Sequence, residues 1–176
     1  MLQLKIKNSL RDVKDFPKPG IIFKDITPIL KDQQLCSEIV DEFVEQLKGI
    51  EFDAIAGIES RGFLFGLMIA NKLNKPFIPI RKAGKLPYTT IQQSYDLEYG
   101  SATIEVHADA FAEGQKILIH DDLLATGGTV EATSLLIEKM KGKVAGFSFL
   151  ISLDFLDGKQ KLHKFSENII SLAPYS

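Results

Sequence analysis

The sequence predicts an α/β fold, a central, mostly parallel sheet flanked by helices, on three observations. Short apolar runs of strand length alternate with stretches of helical periodicity. Polar or glycine-containing loops follow two of these runs and lead into helices. The strand–loop–helix unit recurs, and such alternation buries a parallel sheet on both faces and places ligands beyond the carboxyl ends of its strands.

Each element follows from the local pattern. Ile6, Leu10 and Val13 recur at helical spacing and predict a first helix that stops at Pro17-Lys18-Pro19-Gly20. Over residues 35–47, Leu35, Cys36, Ile39, Val40, Phe43, Val44 and Leu47 trace one helical face, with Asp32 as the cap upstream. Residues 54–58 are an apolar run, 59–62 a polar loop and 63–72 a helix; residues 76–81 then read as another buried strand. The unit returns as a strand over 116–119, a loop over 121–128 and a helix over 129–140, and residues 144–153 supply one more strand. Between Arg81 and Ser101 the pattern breaks: residues 82–90 are basic and hydroxyl-rich, with Gly84 and Pro87, and read as a mobile lid. Residues 101–107 alternate as a strand that pairs back toward it in an antiparallel ribbon.

The 176 residues amount to one domain with room for a small lid. Hydrophobic residues at 45% and charged residues at 25% are globular values. With 21 basic and 23 acidic side chains the net charge is −2, without the basic excess of a general nucleic-acid binder, so no nucleic-acid partner is expected. No stretch approaches the ~18 apolar residues of a membrane helix. The single cysteine, Cys36, forms neither an intramolecular disulfide nor a cysteine zinc site, which points to the cytoplasm.

The chemistry concentrates in residues 116–129. An apolar strand delivers Asp121 and Asp122, and the chain then turns through Gly127 and Gly128 into a helix. Glycines let the backbone approach an anion, and N–H groups at a helix start point at it. Thr126 and Thr129 add hydroxyl donors, while the paired aspartates can accept from vicinal sugar hydroxyls or stand near a magnesium ion. Together these suit a phosphorylated sugar. The Walker pattern is absent, since Phe63 stands where its lysine belongs, and so is the dinucleotide fingerprint.

Residues 121–129, Asp-Asp-Leu-Leu-Ala-Thr-Gly-Gly-Thr, resemble the 5-phosphoribosyl 1-pyrophosphate (PRPP) signature of the type I phosphoribosyltransferases. Four further segments narrow the resemblance to the adenine phosphoribosyltransferases: residues 15–26 (its adenine-binding segment), 59–66 (its pyrophosphate loop), and 80–87 and 95–100 (the two ends of its flexible catalytic loop). The resemblance implies the type I fold, one domain over 1–176, with an amino-terminal base-binding hood over 1–34 and a flexible loop over 82–100. It implies conversion of adenine and PRPP to AMP and pyrophosphate, with Mg2+ held mainly by PRPP rather than by direct protein ligands, in a homodimer in which Arg81 reaches the neighbouring site.

By the same resemblance Glu98 is the catalytic carboxylate, and Asp121, Asp122, Leu124, Ala125, Thr126, Gly127, Gly128 and Thr129 bind PRPP and AMP. Ser60, Arg61, Arg81, Lys82 and Lys85 hold pyrophosphate, and Ile22, Phe23 and Lys24 meet adenine. Lys24 stands where many members carry arginine, and His120 where an apolar residue usually precedes the aspartates; the histidine reads as structural. The competing function is a regulator that binds PRPP on this fold without transfer, and such a protein needs a nucleic-acid reader.

Overall fold

In the computed structural model, which describes residues 1–96 and 100–176, the amino-terminal part comprises α1 (Leu2–Ser9), β1 (Arg11–Lys14), β2 (Ile22–Asp25) and α2 (Gln33–Gln46). The middle follows with β3 (Ala54–Ile58), α3 (Gly62–Lys72), β4 (Phe77–Lys82), β5 (Thr90–Asp96) and β6 (Ser101–His107). It ends with β7 (Lys116–Leu124), α4 (Gly128–Lys139), β8 (Lys143–Leu153), α5 (Gly158–Leu162) and β9 (Ile169–Tyr175). Seven strands form the sheet, in the order β5-β6-β4-β3-β7-β8-β9. The pairs from β4 through β9 are parallel, and β6 adds to β4 and β5 to β6 antiparallel. The α/β prediction holds, ribbon included.

Side chains alternate across each strand, so the apolar runs feed two cores. On one face Ile55, Leu118 and Ile151 pack with Ile39 and Phe43 of α2 and with Phe65 and Ile69 of α3. On the other, Ala56, Ile119 and Phe149 pack with Val130, Leu136 and Ile137 of α4. Full burial of each such Ile, Leu or Phe stabilises by about 1.5–3 kcal/mol. Asp32 caps α2 as its spacing predicts, accepting from the Leu35 N–H at 3.0 Å.

Three expectations are corrected. Val13 lies in a strand, not a helix: the backbone turns extended at Leu10, and β1 pairs antiparallel with β2, Val13 opposite Phe23. Arg11–Asp25 and Asp12–Lys24 ion pairs cross that ribbon. The strand predicted to stop at residue 119 runs on to Leu124, because Leu123 and Leu124 continue the ladder with Ile151 and Ser152 of β8; Asp121 and Asp122 therefore sit on a strand rather than in a loop. Within the stretch read as irregular, Lys82 belongs to β4 and residues 90–96 form β5, paired residue for residue with β6 from Thr90–His107 to Asp96–Ser101.

Candidate active site

At the carboxyl end of β7 lies a cavity of about 390 Å³. Asp121, Ala125, Thr126, Gly127, Gly128 and Thr129 of the predicted set line it, together with Leu123, Tyr95, Asp96 and Lys161. Gly127 carries φ of 80°, the left-handed value that glycine adopts without strain, so the chain reverses from strand to helix across three residues. Its carbonyl accepts the first bond of α4 from Glu131 N–H at 2.8 Å. A larger hollow of about 570 Å³ sits at the opposite, amino-terminal end of the strands, between Leu47, Phe52 and Leu73, away from every predicted site residue.

The Leu124 side chain is buried in the core, and it is the Leu123 side chain that lines the cavity. The alternation of a strand that runs five residues further than predicted puts the two side chains on opposite faces.

The two aspartates occupy different surroundings. Asp121 Oδ1 accepts from the Asp122 N–H at 2.8 Å, and burial together with the neighbouring Asp122 charge pushes its carboxyl well above the usual range. Asp122, 3% exposed, faces the Arg61 guanidinium with Oδ2 3.0 Å from Nε. Burial raises its pKa and Arg61 opposes the rise. A Cβ at Gly62 would stand 2.9 Å from the His120 carbonyl and 3.0 Å from Asp121 Oδ1, so glycine lets the 59–62 loop lie directly against this pair.

Arg61 also lies over the Phe23 ring, 4.5 Å from its centroid, and so joins the predicted pyrophosphate loop, the PRPP motif and the hood. Ser60 and Ile22 of the predicted sets are exposed. Lys24 is engaged elsewhere: Nζ binds Asp12 at 2.8 and 2.9 Å and sits 4.6 Å from the centre of the Tyr175 ring.

The basic turn after β4 is held by two carboxylates that sequence reading passed over. Glu59 accepts from Arg81 Nε at 3.2 Å and from the Lys82 N–H at 2.9 Å. Glu105, 2% exposed, accepts from the Lys85 and Leu86 N–H groups at 2.8 and 2.9 Å, and from Thr90 and Gln92 side chains through its other oxygen. Burial alone would raise its pKa; the backbone N–H groups of Leu86, Gly84 and Lys85 outweigh that and bring it down to about 2. The Lys82 and Lys85 side chains are exposed. Glu98 lies outside the described residues.

His120 is fully buried, its Nδ1 2.9 Å from Ser148 Oγ and its ring edge-on to Phe43. Burial drives its pKa down to about 3, which keeps it neutral and fits the structural reading. Among the described residues no cluster of three or more His, Cys, Asp or Glu side chains could cage a metal, and no helix is long and apolar enough to cross a membrane.

Residues 24–168 match the phosphoribosyl transferase domain model. An adenine phosphoribosyltransferase of Cytophaga hutchinsonii is 57% identical over 175 residues, 99% of this chain and 97% of that protein. The crystal structure of adenine phosphoribosyltransferase from Thermoanaerobacter pseudethanolicus superposes with a TM-score of 0.95 at 47% identity, covering 98% of this chain and 99% of the other. The Saccharomyces cerevisiae enzyme, solved with an imino-altritol bisphosphate and adenine, superposes at 0.90 with 36% identity over 97% and 98% of the two chains. With Asp121 and the 125–129 turn opening on one cavity at the end of β7, and with likeness from end to end, the chain belongs to the adenine phosphoribosyltransferases of the type I phosphoribosyltransferase family.

Proposed function

We propose that this protein salvages adenine, transferring the phosphoribosyl group of PRPP to the base to give AMP and pyrophosphate. The observation that carries the reading is the cavity in which an aspartate and a glycine turn at a helix start meet at a sheet's carboxyl edge. The C1–O bond to pyrophosphate breaks and a C1–N bond to adenine forms, through a cationic sugar that water can intercept. Asp121 and Asp122 accept from the ribose hydroxyls, and residues 125–129 hold the 5′-phosphate through backbone N–H groups and the hydroxyls of Thr126 and Thr129.

Ser60, Arg61, Arg81, Lys82 and Lys85 receive pyrophosphate, Glu59 and Glu105 holding the turn that carries the last three. Adenine sits against Ile22 and Phe23, read by backbone groups at Ile22 and Lys24, once Arg61 leaves the ring face for the pyrophosphate. Glu98 acts on the charge that develops during transfer, and residues 82–100 close over the sugar. Asp96 and Asp121 give the cavity hard oxygen acceptors, the donor type that Mg2+ takes, mostly through water, while the ion remains mainly on PRPP. An ion held there would supply neutralisation of the charge on the leaving pyrophosphate.

The chain works as a homodimer in the cytoplasm; Leu64, Leu67 and Met68 leave an exposed apolar stripe on α3 for a second copy, and Cys36 is an unpaired thiol. The alternative of a non-catalytic regulator loses to the near end-to-end likeness to enzymes. Incubation with PRPP, Mg2+ and, in turn, adenine, guanine, hypoxanthine and uracil tests the reading: AMP forms from adenine alone. Binding of PRPP with no nucleotide formed from any base would restore the regulator.

A further inference from the structure

The cavity at the end of β7 is built for a dianion yet carries two carboxylates, Asp96 and Asp121, and one cation among its described lining residues, Lys161. Lys161 comes from α5, more than thirty positions beyond the glycine turn, and no motif in the sequence points to it. Its place in the cavity is set by backbone contact. A Cβ on Gly127 would stand 2.8 Å from the Gly158 carbonyl oxygen, and a Cβ on Gly158 would meet the Ala125 carbonyl oxygen at 2.2 Å. Only glycine at both positions lets α5 seat its first residue directly on the turn. Leu162, fully buried, fixes the other end of α5 in the core.

The neighbouring lysines are spoken for. Lys159 Nζ is 2.8 Å from Asp154 and Lys164 Nζ is 2.6 Å from Glu131. Among the described residues no carboxylate pairs with Lys161, although it is the lysine of this group that lines the cavity. A cation with no counter-ion among the described residues, close to the N–H groups of a helix start, is suited to an incoming phosphomonoester.

We propose that Lys161 is a phosphate-binding residue of this site, its ammonium group meeting the 5′-phosphate of PRPP and AMP on the side of the turn opposite the aspartates. The assignment rests on the reading of residues 125–129 as the phosphate turn. It makes the segment after β8 part of the binding machinery, and it supplies the positive charge that the turn itself lacks.

Calorimetric titration with AMP and with adenosine, which differ only in the phosphate, tests it. In Lys161→Ala the preference for AMP over adenosine falls about tenfold at low salt, as for loss of a charge-assisted hydrogen bond, and it falls less at high salt. Adenosine affinity stays as in the wild type, Lys161→Arg restores most of the preference, and Lys159→Ala leaves it intact. Full AMP preference in Lys161→Ala overturns the assignment while leaving the phosphate turn standing. Equal binding of AMP and adenosine by the wild-type chain overturns the phosphate turn and the assignment with it.

Discussion

The Tyr95 hydroxyl stands 3.0 Å from Thr129 Oγ1, so the β5–β6 hairpin is bonded to the first turn of α4 at the edge of the cavity at the end of β7. Lys139 Nζ reaches the Gln92 carbonyl at 2.9 Å and adds a second tie along the same helix. The hydroxyl that a phosphate is expected to use is thus engaged by the hairpin before any ligand arrives. Tyr95→Phe removes the tie without removing the ring, a loss of about 1 kcal/mol. Amide exchange across residues 90–96 of the ligand-free protein should quicken several-fold, and AMP affinity by calorimetry should be no weaker than in the wild type. Unchanged exchange would show that the hairpin is held by packing alone.

Asp121→Asn should stabilise the ligand-free protein while weakening PRPP binding. Burial and the Asp122 charge raise the Asp121 pKa, so ionising it disfavours the folded state. Below the unfolded value of about 3.8 the group is protonated in both states and has no effect; as pH rises through the interval above it, stability declines. Asn removes that decline. The melting temperature at neutral pH should rise, by about 2–4 °C for each kcal/mol relieved in a chain of this size. An equal or lower melting temperature, across a pH series, would mean that Arg61 already compensates the pair in full.

Glu105→Gln should loosen the basic turn. A carboxamide brings its own N–H groups toward the Lys85 and Leu86 donors, and losing one charge-assisted bond costs about 1.5–3 kcal/mol. Trypsin should cut after Lys82 and Lys85 faster than in the wild type, in which PRPP with Mg2+ slows the same cuts and adenine alone does not. The pH dependence has the opposite sign to that of Asp121. The folded value of about 2 lies below the ordinary 4.5, so the stabilisation is complete above pH 4.5 and is lost as pH falls toward 2. The stability difference between wild type and variant, by denaturant titration, should narrow over that window.

Gly158→Ala should damage the glycine turn from a distance. The added methyl would meet the Ala125 carbonyl oxygen at 2.2 Å, and overpacking of this kind costs about 1–3 kcal/mol. AMP affinity should fall along with stability, while adenine affinity holds. A variant with full AMP affinity would mean that α5 can retreat without carrying the turn with it.

Glu98→Gln should lower kcat far more than it raises KM for adenine, because the carboxylate is assigned to charge that appears during transfer. A rise in KM alone would make Glu98 a binding residue.

The parallel core was legible because its signal is local: runs such as residues 54–58 and 144–153 are apolar throughout, and Asp32 sits three residues before the N–H it caps. The glycine turn was legible for the same reason, since strand, carboxylates and glycines are contiguous. What escaped depends on partners far along the chain. Thr90 to Asp96 carries little apolar periodicity and becomes a strand because β6 offers it a complete ladder. Val13 matched a helical pattern and was drawn into a ribbon by Phe23 and the flanking ion pairs. Glu59 and Glu105 give no local sign of the turn they collect, which lies about 20 residues along the chain, and Lys161 has meaning only once Gly158 rests on Gly127.

That contact, and the stacking of Lys24 on Tyr175, bear on how the protein is made. A ribosome adds about 5–20 residues per second, and the hood, the aspartates and the glycine turn all emerge early. Yet the turn is braced by residue 158 and the hood by residue 175. A nascent chain long enough to display the whole signature at 121–129 therefore has neither brace in place. Neither tie exists in a nascent chain halted before residue 158, which should therefore lack affinity for PRPP and adenine alike.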